Sequence, residues 1–446
     1  MKIARKHSTI RQWLRSSILL GTLLTLLAGT ALAAGTATPA APAPIDLTLD
    51  QAVQLALTNN PSGKIAVFEF EAAKGALTAA RSYRWPTISG THRDSRTLAA
   101  PTEREPSPTT TDNYSNSVSF SWILWSGNKI ESQISQAKLS LDSSQWGIAA
   151  ARQQLKYNAT DAYFKFMAAR DAVKLAQESV ARLERYLQDV KLQFDVGVVA
   201  KVDVLRSEVE LAKAKQTLIE AQNLYDLTMA NLNNLMGLPL TTELKVKGDL
   251  SYAKFEQDLA ICVDLALRQR PEIFQYTDAA KSAQEGITVA KAGYLPSISA
   301  TYTNGWSNTT FPGGNNHNWT VYLTTSWTFL DSGLTAGNVK KAVETYRKAQ
   351  EQLRQTVDSV QLEVHSTFLS LKSAEQSIQT CSAAVGLAEE DYGIKVIRYQ
   401  AGVGTNLDVL DAQVALTTAK NNFLKAMYEY NNYRSKLDKS MGMPVK

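Results

Sequence analysis

Asp408 and Asp411 stand three residues apart where a helical pattern begins, in Thr405-Asn-Leu-Asp408-Val409-Leu410-Asp411. That spacing puts both carboxylates on nearly the same helix face. Acids so placed can cap the helix, accepting backbone N–H groups at the positive end of its dipole. Repeated around a symmetric constriction, they would instead form rings that favour cations. Asp203 lies 205 positions before Asp408 in the same Asp-Val-Leu context, and capping alone can account for it. Asp411 has no such mate, because the residue 205 positions earlier is Arg206. Elsewhere the chain offers little chemistry. His92, His317 and His365 lack metal-ligand spacing, and no nucleophile, base and orienting group can be assembled. No enzyme, metal or cofactor is expected. Cys262 and Cys381 each fall on an apolar helical face, so both are expected as small buried hydrophobes ahead of a disulfide.

The acids belong to two copies of one element. Phe194-Asp-Val-Gly197-Val198 runs on to Asp203-Val204-Leu205, and Tyr399-Gln-Ala-Gly402-Val403 runs on to Asp408-Val409-Leu410. The register holds through Lys215/Lys420 and Tyr225/Tyr430 to Met236-Gly237-x-Pro239 and Met441-Gly442-x-Pro444. Each copy ends an amphipathic segment at an aromatic residue, turns on a glycine and restarts a helix, as the tip of a helical hairpin does. The long segments, 127–193 and 336–398, carry apolar residues at steps of three and four, which predicts helices of roughly 100 Å and a heptad seam. The returning helices, Asp203 to Met236 and Asp408 to Met441, are shorter, so the short helical patterns that open each half must stack beyond them.

Between short and long helices the period changes to two. Tyr114, Asn116, Val118, Phe120, Trp122 and Leu124 alternate with serines, and Trp319, Val321, Leu323, Thr325, Trp327 and Phe329 repeat the pattern. These lengths suit tilted membrane strands. Trp85, Trp122, Trp125, Trp306, Trp319 and Trp327 fall in or beside the hairpins, as membrane-interface aromatics do. The strand from Trp85 to Arg93 is the weak member, with Gly90 and His92 on its apolar face, and the loops at 97–113 and 307–318 are long and polar.

Lys2, Arg5, Lys6, Arg11 and Arg15 precede the apolar run Ile18 to Ala28 and Ala31-Leu32-Ala33, the grammar of a cleaved secretory signal. Taking those five cations from the formal net charge of +5 leaves none, which excludes the basic surface nucleic-acid binding needs. The division is a signal peptide at 1–33 and a flexible leader at 34–45. A first repeat at 46–240 holds a β-hairpin at 85–125 and a tip at 194–203. An equatorial connection at 241–254 leads to a second repeat at 255–446, with a β-hairpin at 294–330 and a tip at 399–408. Four strands per chain cannot close a barrel, and open edges are forbidden in lipid, so membrane entry requires oligomerisation.

This pattern of duplicated halves, Pro-x-Ile-Ser strand entries, Trp327-x-Phe329-Leu-Asp331-Ser-Gly333 at a strand exit and Gly-x5-Asp-Val-Leu tips resembles the TolC family of outer-membrane channel-tunnels. The resemblance implies a mostly α protein with a transmembrane β-barrel: a homotrimer with twelve strands in outer-membrane lipid, continuous with a periplasmic α-helical barrel. It would be the exit duct of a tripartite efflux or type I secretion system, docking to a periplasmic adaptor and an inner-membrane transporter. Without a lipid-bearing cysteine after the signal, it resembles the type I secretion branch more than the lipidated drug-efflux branch. Tyr399, Asp203, Asp408 and Asp411 match the family's aperture network, whereas Gly404 replaces an arginine for which Arg398 is the candidate substitute. Gly197, Val198, Gly402 and Val403 match the adaptor-docking tips. The alternative is a periplasmic coiled-coil adaptor or structural protein without a membrane barrel.

Overall fold

The computed structural model describes residues 45–101, 103 and 107–445; the expected signal peptide, and the leader up to residue 44, lie outside them. In chain order the elements are β1 (Ile45–Leu47), α1 (Leu49–Asn59), α2 (Pro61–Ser82), β2 (Thr87–Ala99), β3 (Thr109–Trp125), α3 (Lys129–Asp195), α4 (Lys201–Met236) and β4 (Leu244–Val246). Then come α5 (Leu259–Gln269), α6 (Pro271–Lys291), a 3-10 turn (Ala292–Tyr294), β5 (Ser297–Asn308), β6 (Asn316–Ser326), α7 (Leu334–Gln400) and α8 (Asn406–Ser440).

Helices α3 and α7 each run 67 residues, about 100 Å at 1.5 Å per residue. No proline interrupts either, and on α3 Leu155, Ala159, Tyr163, Phe166, Val180, Leu183, Leu187 and Val190 are buried along one seam. Their starts are capped from positions 205 apart. The Ser126 hydroxyl accepts the Ile130 N–H at 3.3 Å, and the Asp331 carboxylate accepts those of Gly333 and Thr335 at 3.0 and 2.7 Å.

The short helices fasten onto the ends of the returning ones. Asn60, which caps α2, donates to the Leu235 carbonyl at 2.9 Å, and Arg270, at the equivalent place before α6, donates to that of Ser440 at 3.3 Å. Here the Met-Gly-x-Pro motifs find their use. Gly237 and Gly442 turn with φ of 70° and 75°. A Cβ on Gly237 would come 2.8 Å from Asn59 Cβ, and one on Gly442 2.7 Å from the Gln269 carbonyl carbon. In the second half the junction is also ionic. The buried Arg270 meets Glu272 and Glu363 at 2.9 Å each, and Lys439 meets Glu363 at 3.2 Å. Burial alone would raise the Glu363 pKa, but Arg270 and Lys439 outweigh it and hold the carboxyl below its ordinary value.

Segment 241–254 crosses from one half to the other. Arg170 of α3 donates to the Val246 and Gly248 carbonyls, while Tyr252 donates to Glu375 of α7 and Tyr430 of α8 donates to the Ala253 carbonyl.

Helix contacts run in a fixed order: α2 and α4 pack on α3, α3 on α6 and α8, and these two on α7. The four-stranded sheet has the order β2-β3-β5-β6, all antiparallel. Since β2 follows α2, β3 precedes α3, β5 follows α6 and β6 precedes α7, strand order repeats helix order. The outermost elements are therefore β2, α2 and α4 on one side and β6 and α7 on the other.

Register assigns the faces. Ile88, Phe120, Tyr302 and Val321 lie in one row, and Gly90, Val118, Asn304 and Trp319 in the next; the opposite face is largely serine and threonine. Sequence alternation put Leu124 on the Trp122 face. The register instead shifts between Ile123 and Trp125, leaving Leu124 without a partner and returning Trp125 to the face of Trp122. That extra residue is a β-bulge. Within the hairpins the strands outrun the expected ones at the loop end, with 13 residues in β2 and 17 in β3, so the connecting loops shrink to 100–108 and 309–315, whereas β6 stops at Ser326, short of Trp327 and Phe329. The added length holds the polar pair of Arg96 with Asp112 at 2.6 Å and brings Asp94 to 2.9 Å from His92, which the short apolar repeat did not reveal.

Candidate functional site

At the far end of the long helices both hairpins turn in the same way. Val196 and Ala401 follow the last helical residues, and Gly197 and Gly402 adopt φ of 78° and 76°. The Val198 N–H reaches back to the Gln193 carbonyl at 2.9 Å, and the Val403 N–H to that of Arg398 at 3.0 Å. These are glycine C-caps in which positive φ, not crowding, demands glycine, because nothing lies within 4 Å of an added Cβ at either. Val198 and Val403 are 71% and 66% exposed, so each turn presents an apolar knob.

The helices that leave the turns differ. Helix α8 starts with a capping box: the Asp408 N–H donates to the Thr405 hydroxyl at 3.2 Å, and the Thr405 N–H donates to the Asp408 carboxylate at 3.1 Å. Asp408 also accepts from the Thr405 hydroxyl at 2.7 Å and from Lys395 at 3.2 Å. The Thr405 hydrogen bonds, then Lys395, hold the Asp408 pKa down at about 2. Helix α4 has Ala200 at its N-cap and no side-chain cap, so Asp203 does not cap it as expected, and Val190 stands where α7 has Lys395.

Asn406 joins the two tips. It is 3% exposed, and its Oδ1 accepts from the Tyr186 hydroxyl at 2.7 Å and from Ser207 at 3.3 Å. Its Nδ2 donates to the Asp203 carbonyl at 2.9 Å and to the Asp203 carboxylate at 3.4 Å. One amide thus ties the start of α8 to both helices of the first hairpin. Beside it, Tyr399 is buried with its ring 5.6 Å from that of Tyr186. Burial pushes the Tyr186 phenol well above its ordinary pKa. Sequence reasoning missed Asn406, and the signal available was its mate, since Lys201 stands 205 positions earlier where an internal repeat leads one to expect a like residue.

Of the aperture residues expected from the sequence, Asp203 and Tyr399 meet around this clasp, Asp408 is occupied by Thr405 and Lys395, and Asp411 is exposed without a hydrogen bond or ion pair among the described residues. Arg398 donates to the Val403 carbonyl of its own turn at 3.4 Å. A Cβ on Gly404 would lie 3.0 Å from the Tyr399 nitrogen, so this turn has little room for a side chain there.

At the opposite end the tryptophans divide into two sorts. Trp122 donates through Nε1 to the Arg84 carbonyl at 3.0 Å, and Trp327 likewise to that of Tyr294 at 3.1 Å. The first bond fastens β3, and the second the residue just past β6, to the turn leaving a short helix. Trp85 and Trp319 are 68% and 64% exposed, Trp125 is also exposed, and Trp306 lies 5.6 Å from the His317 ring. Among the described residues there is no cluster of three or more His, Cys, Asp or Glu side chains placed to hold a metal, and no helix is long and apolar enough to cross a membrane. Cys262 is buried, Cys381 half-buried, and both are free.

The family model for outer membrane efflux proteins matches residues 52–238 and 262–443. The chain is 24% identical over 390 residues to the probable efflux pump outer membrane protein TtgC of Pseudomonas putida, spanning 84% of this chain and 78% of that protein. It is also 24% identical over 395 residues to the alkaline protease secretion protein AprF of Pseudomonas aeruginosa, spanning 84% and 80%. Its fold matches the Campylobacter jejuni CmeC outer membrane channel with a TM-score of 0.80 at 20% identity, covering 88% of this chain and 85% of that one.

Proposed function

Because the chain belongs to the outer membrane efflux protein family, we propose that three copies close a twelve-stranded barrel in the outer membrane above a twelve-helix periplasmic tunnel, each copy contributing two structural repeats. It is an outer-membrane export channel of the TolC type. The observation that carries the trimer is the agreement of strand and helix order. In one chain β2 and β6 are both free edges, and unpaired edges are excluded from lipid. The same two sides leave apolar groups uncovered: Phe68 on α2 is 69% exposed, Ile219 on α4 64%, and Leu362 and Leu387 on α7 69% each. A second copy placing its β6 and α7 against β2, α2 and α4 covers both kinds of surface at once. Eight strands would leave an interior filled by side chains, so export favours twelve.

The exposed Val198 and Val403 with their glycine turns are the proposed docking points for a periplasmic adaptor and, through it, an inner-membrane transporter. Efflux and protease-secretion relatives are equally similar at 24%, so export is assigned without a substrate class. The barrel-less adaptor reading is not favoured, since the family model spans helices and strands alike. Detergent extraction of the full chain from membranes, with its mass measured by light scattering, tests the assembly. A trimer from the outer-membrane fraction is expected, and a monomer from the soluble periplasmic fraction would refute it.

A further inference from the structure

We infer that the ionic selectivity of the tip is set by an opposed pair of charges, Arg206 and Asp411, rather than by a ring of carboxylates alone. This rests on the channel reading above. Arg206 and Asp411 line one groove between α4 and α8, walled by Val202, Leu205, Leu407 and Val414. Both are exposed, and neither has a hydrogen bond or ion pair among the described residues. Neighbouring acids are engaged: Asp408 with Lys395, Glu208 with Lys191 and Glu210 with Lys213, while the Asp203 carboxylate is turned toward the Asn406 amide.

The two free charges occupy corresponding places. They lie 205 positions apart, each two turns or less into the helix leaving its own tip. Whatever Asp411 faces at the mouth of the groove, Arg206 faces too. In a closed ring of copies the six hairpins would present guanidinium and carboxylate in alternation at one height. A ring of like charge concentrates counterions, whereas alternating charges closer than the Debye length of about 8 Å in physiological salt cancel a short way off. The tip is thereby left weakly selective, and each residue alone holds the other's effect in check.

Reversal potentials in a KCl gradient test this, using the full-length channel in planar bilayers as wild type, Arg206→Ala, Asp411→Ala and the swap Arg206→Asp with Asp411→Arg. Both side chains are exposed, and native gels check that each variant still assembles. Arg206→Ala is expected to move the K+/Cl− permeability ratio several-fold toward K+, Asp411→Ala several-fold toward Cl−, and the swap is expected to restore the wild-type ratio. A shift with Asp411→Ala but none with Arg206→Ala means that the carboxylate acts alone, and no shift with either puts the groove off the conduction path; both overturn the inference. A wild-type chain that assembles but conducts nothing would overturn the channel reading itself, and this inference with it.

Discussion

Replacing Asn406 with alanine removes an amide that joins the two hairpin tips through four contacts, two of them short. Alanine suits the first turn of α8, so the helix itself should not suffer. The contacts at 2.7 and 2.9 Å are full hydrogen bonds and those at 3.3 and 3.4 Å are long, so we count two bonds at about 1 kcal/mol each. The Asp203 carbonyl keeps its bond from Ser207 at 2.9 Å, whereas the buried Tyr186 hydroxyl loses its partner, at a further cost of about 1 kcal/mol. About 3 kcal/mol corresponds to roughly a hundredfold in the local opening equilibrium. Hydrogen exchange reads this directly. Amides just beyond the two turns should exchange roughly a hundredfold faster in Asn406→Ala, while those around Leu155 and Phe166 in the middle of α3 should not change. Ser207→Ala gives up the long contact to Asn406 and the 2.9 Å bond to the Asp203 carbonyl, which still accepts from Asn406, so it should move the same amides less. Equal acceleration along the whole of α3, or none at the tips, would show that Asn406 is not the clasp.

Three further outcomes are expected. Asp408→Asn should loosen the start of α8, seen as faster exchange at 405–409, and mimic acid in the wild type: a carboxyl depressed to about 2 stabilises above its unfolded value and loses that contribution as pH falls toward 2. Gly442→Ala meets both a φ of 75° and the Gln269 backbone, so thermal unfolding should show a loss of about 1–3 kcal/mol, with Gly402→Ala, where space is open, less affected. Glu363→Gln should lower stability at neutral pH by leaving Arg270 buried and under-compensated; because the Glu363 pKa is lowered, the difference from wild type should shrink as the pH falls through the carboxylate range, in urea titrations at a series of pH values.

The features legible in the sequence were local ones. Apolar steps of three and four marked α3 and α7 to within about two residues at each end, the usual margin for helix termini. Alternation found the strands, and glycine followed by Asp-Val-Leu found the turns. What stayed hidden depends on contacts between distant segments. Asn406 reaches Tyr186 across 220 positions, and the Arg270–Glu363–Lys439 cluster joins three separate helices or their caps. The bulge at Leu124 shows only in the register against β5, and the added length of β2 and β3 carries a polar pair that no apolar period marks. At Asp408 the capping chemistry was legible, but its place as the third residue of the helix, with Thr405 as the cap and Lys395 as counter-ion, was not.

The shared order of strands and helices has a genetic consequence. In the proposed trimer each copy would be a stave reaching from the top of the barrel to the bottom of the tunnel, with no part of the wall shared between two copies. A ring with one faulty stave leaks along its full height, whatever its two neighbours can do. An allele damaged along β2 or α7 but still able to enter rings should therefore be dominant. Expressed in equal amount with the wild type and mixing at random, it leaves roughly one ring in eight with three sound staves.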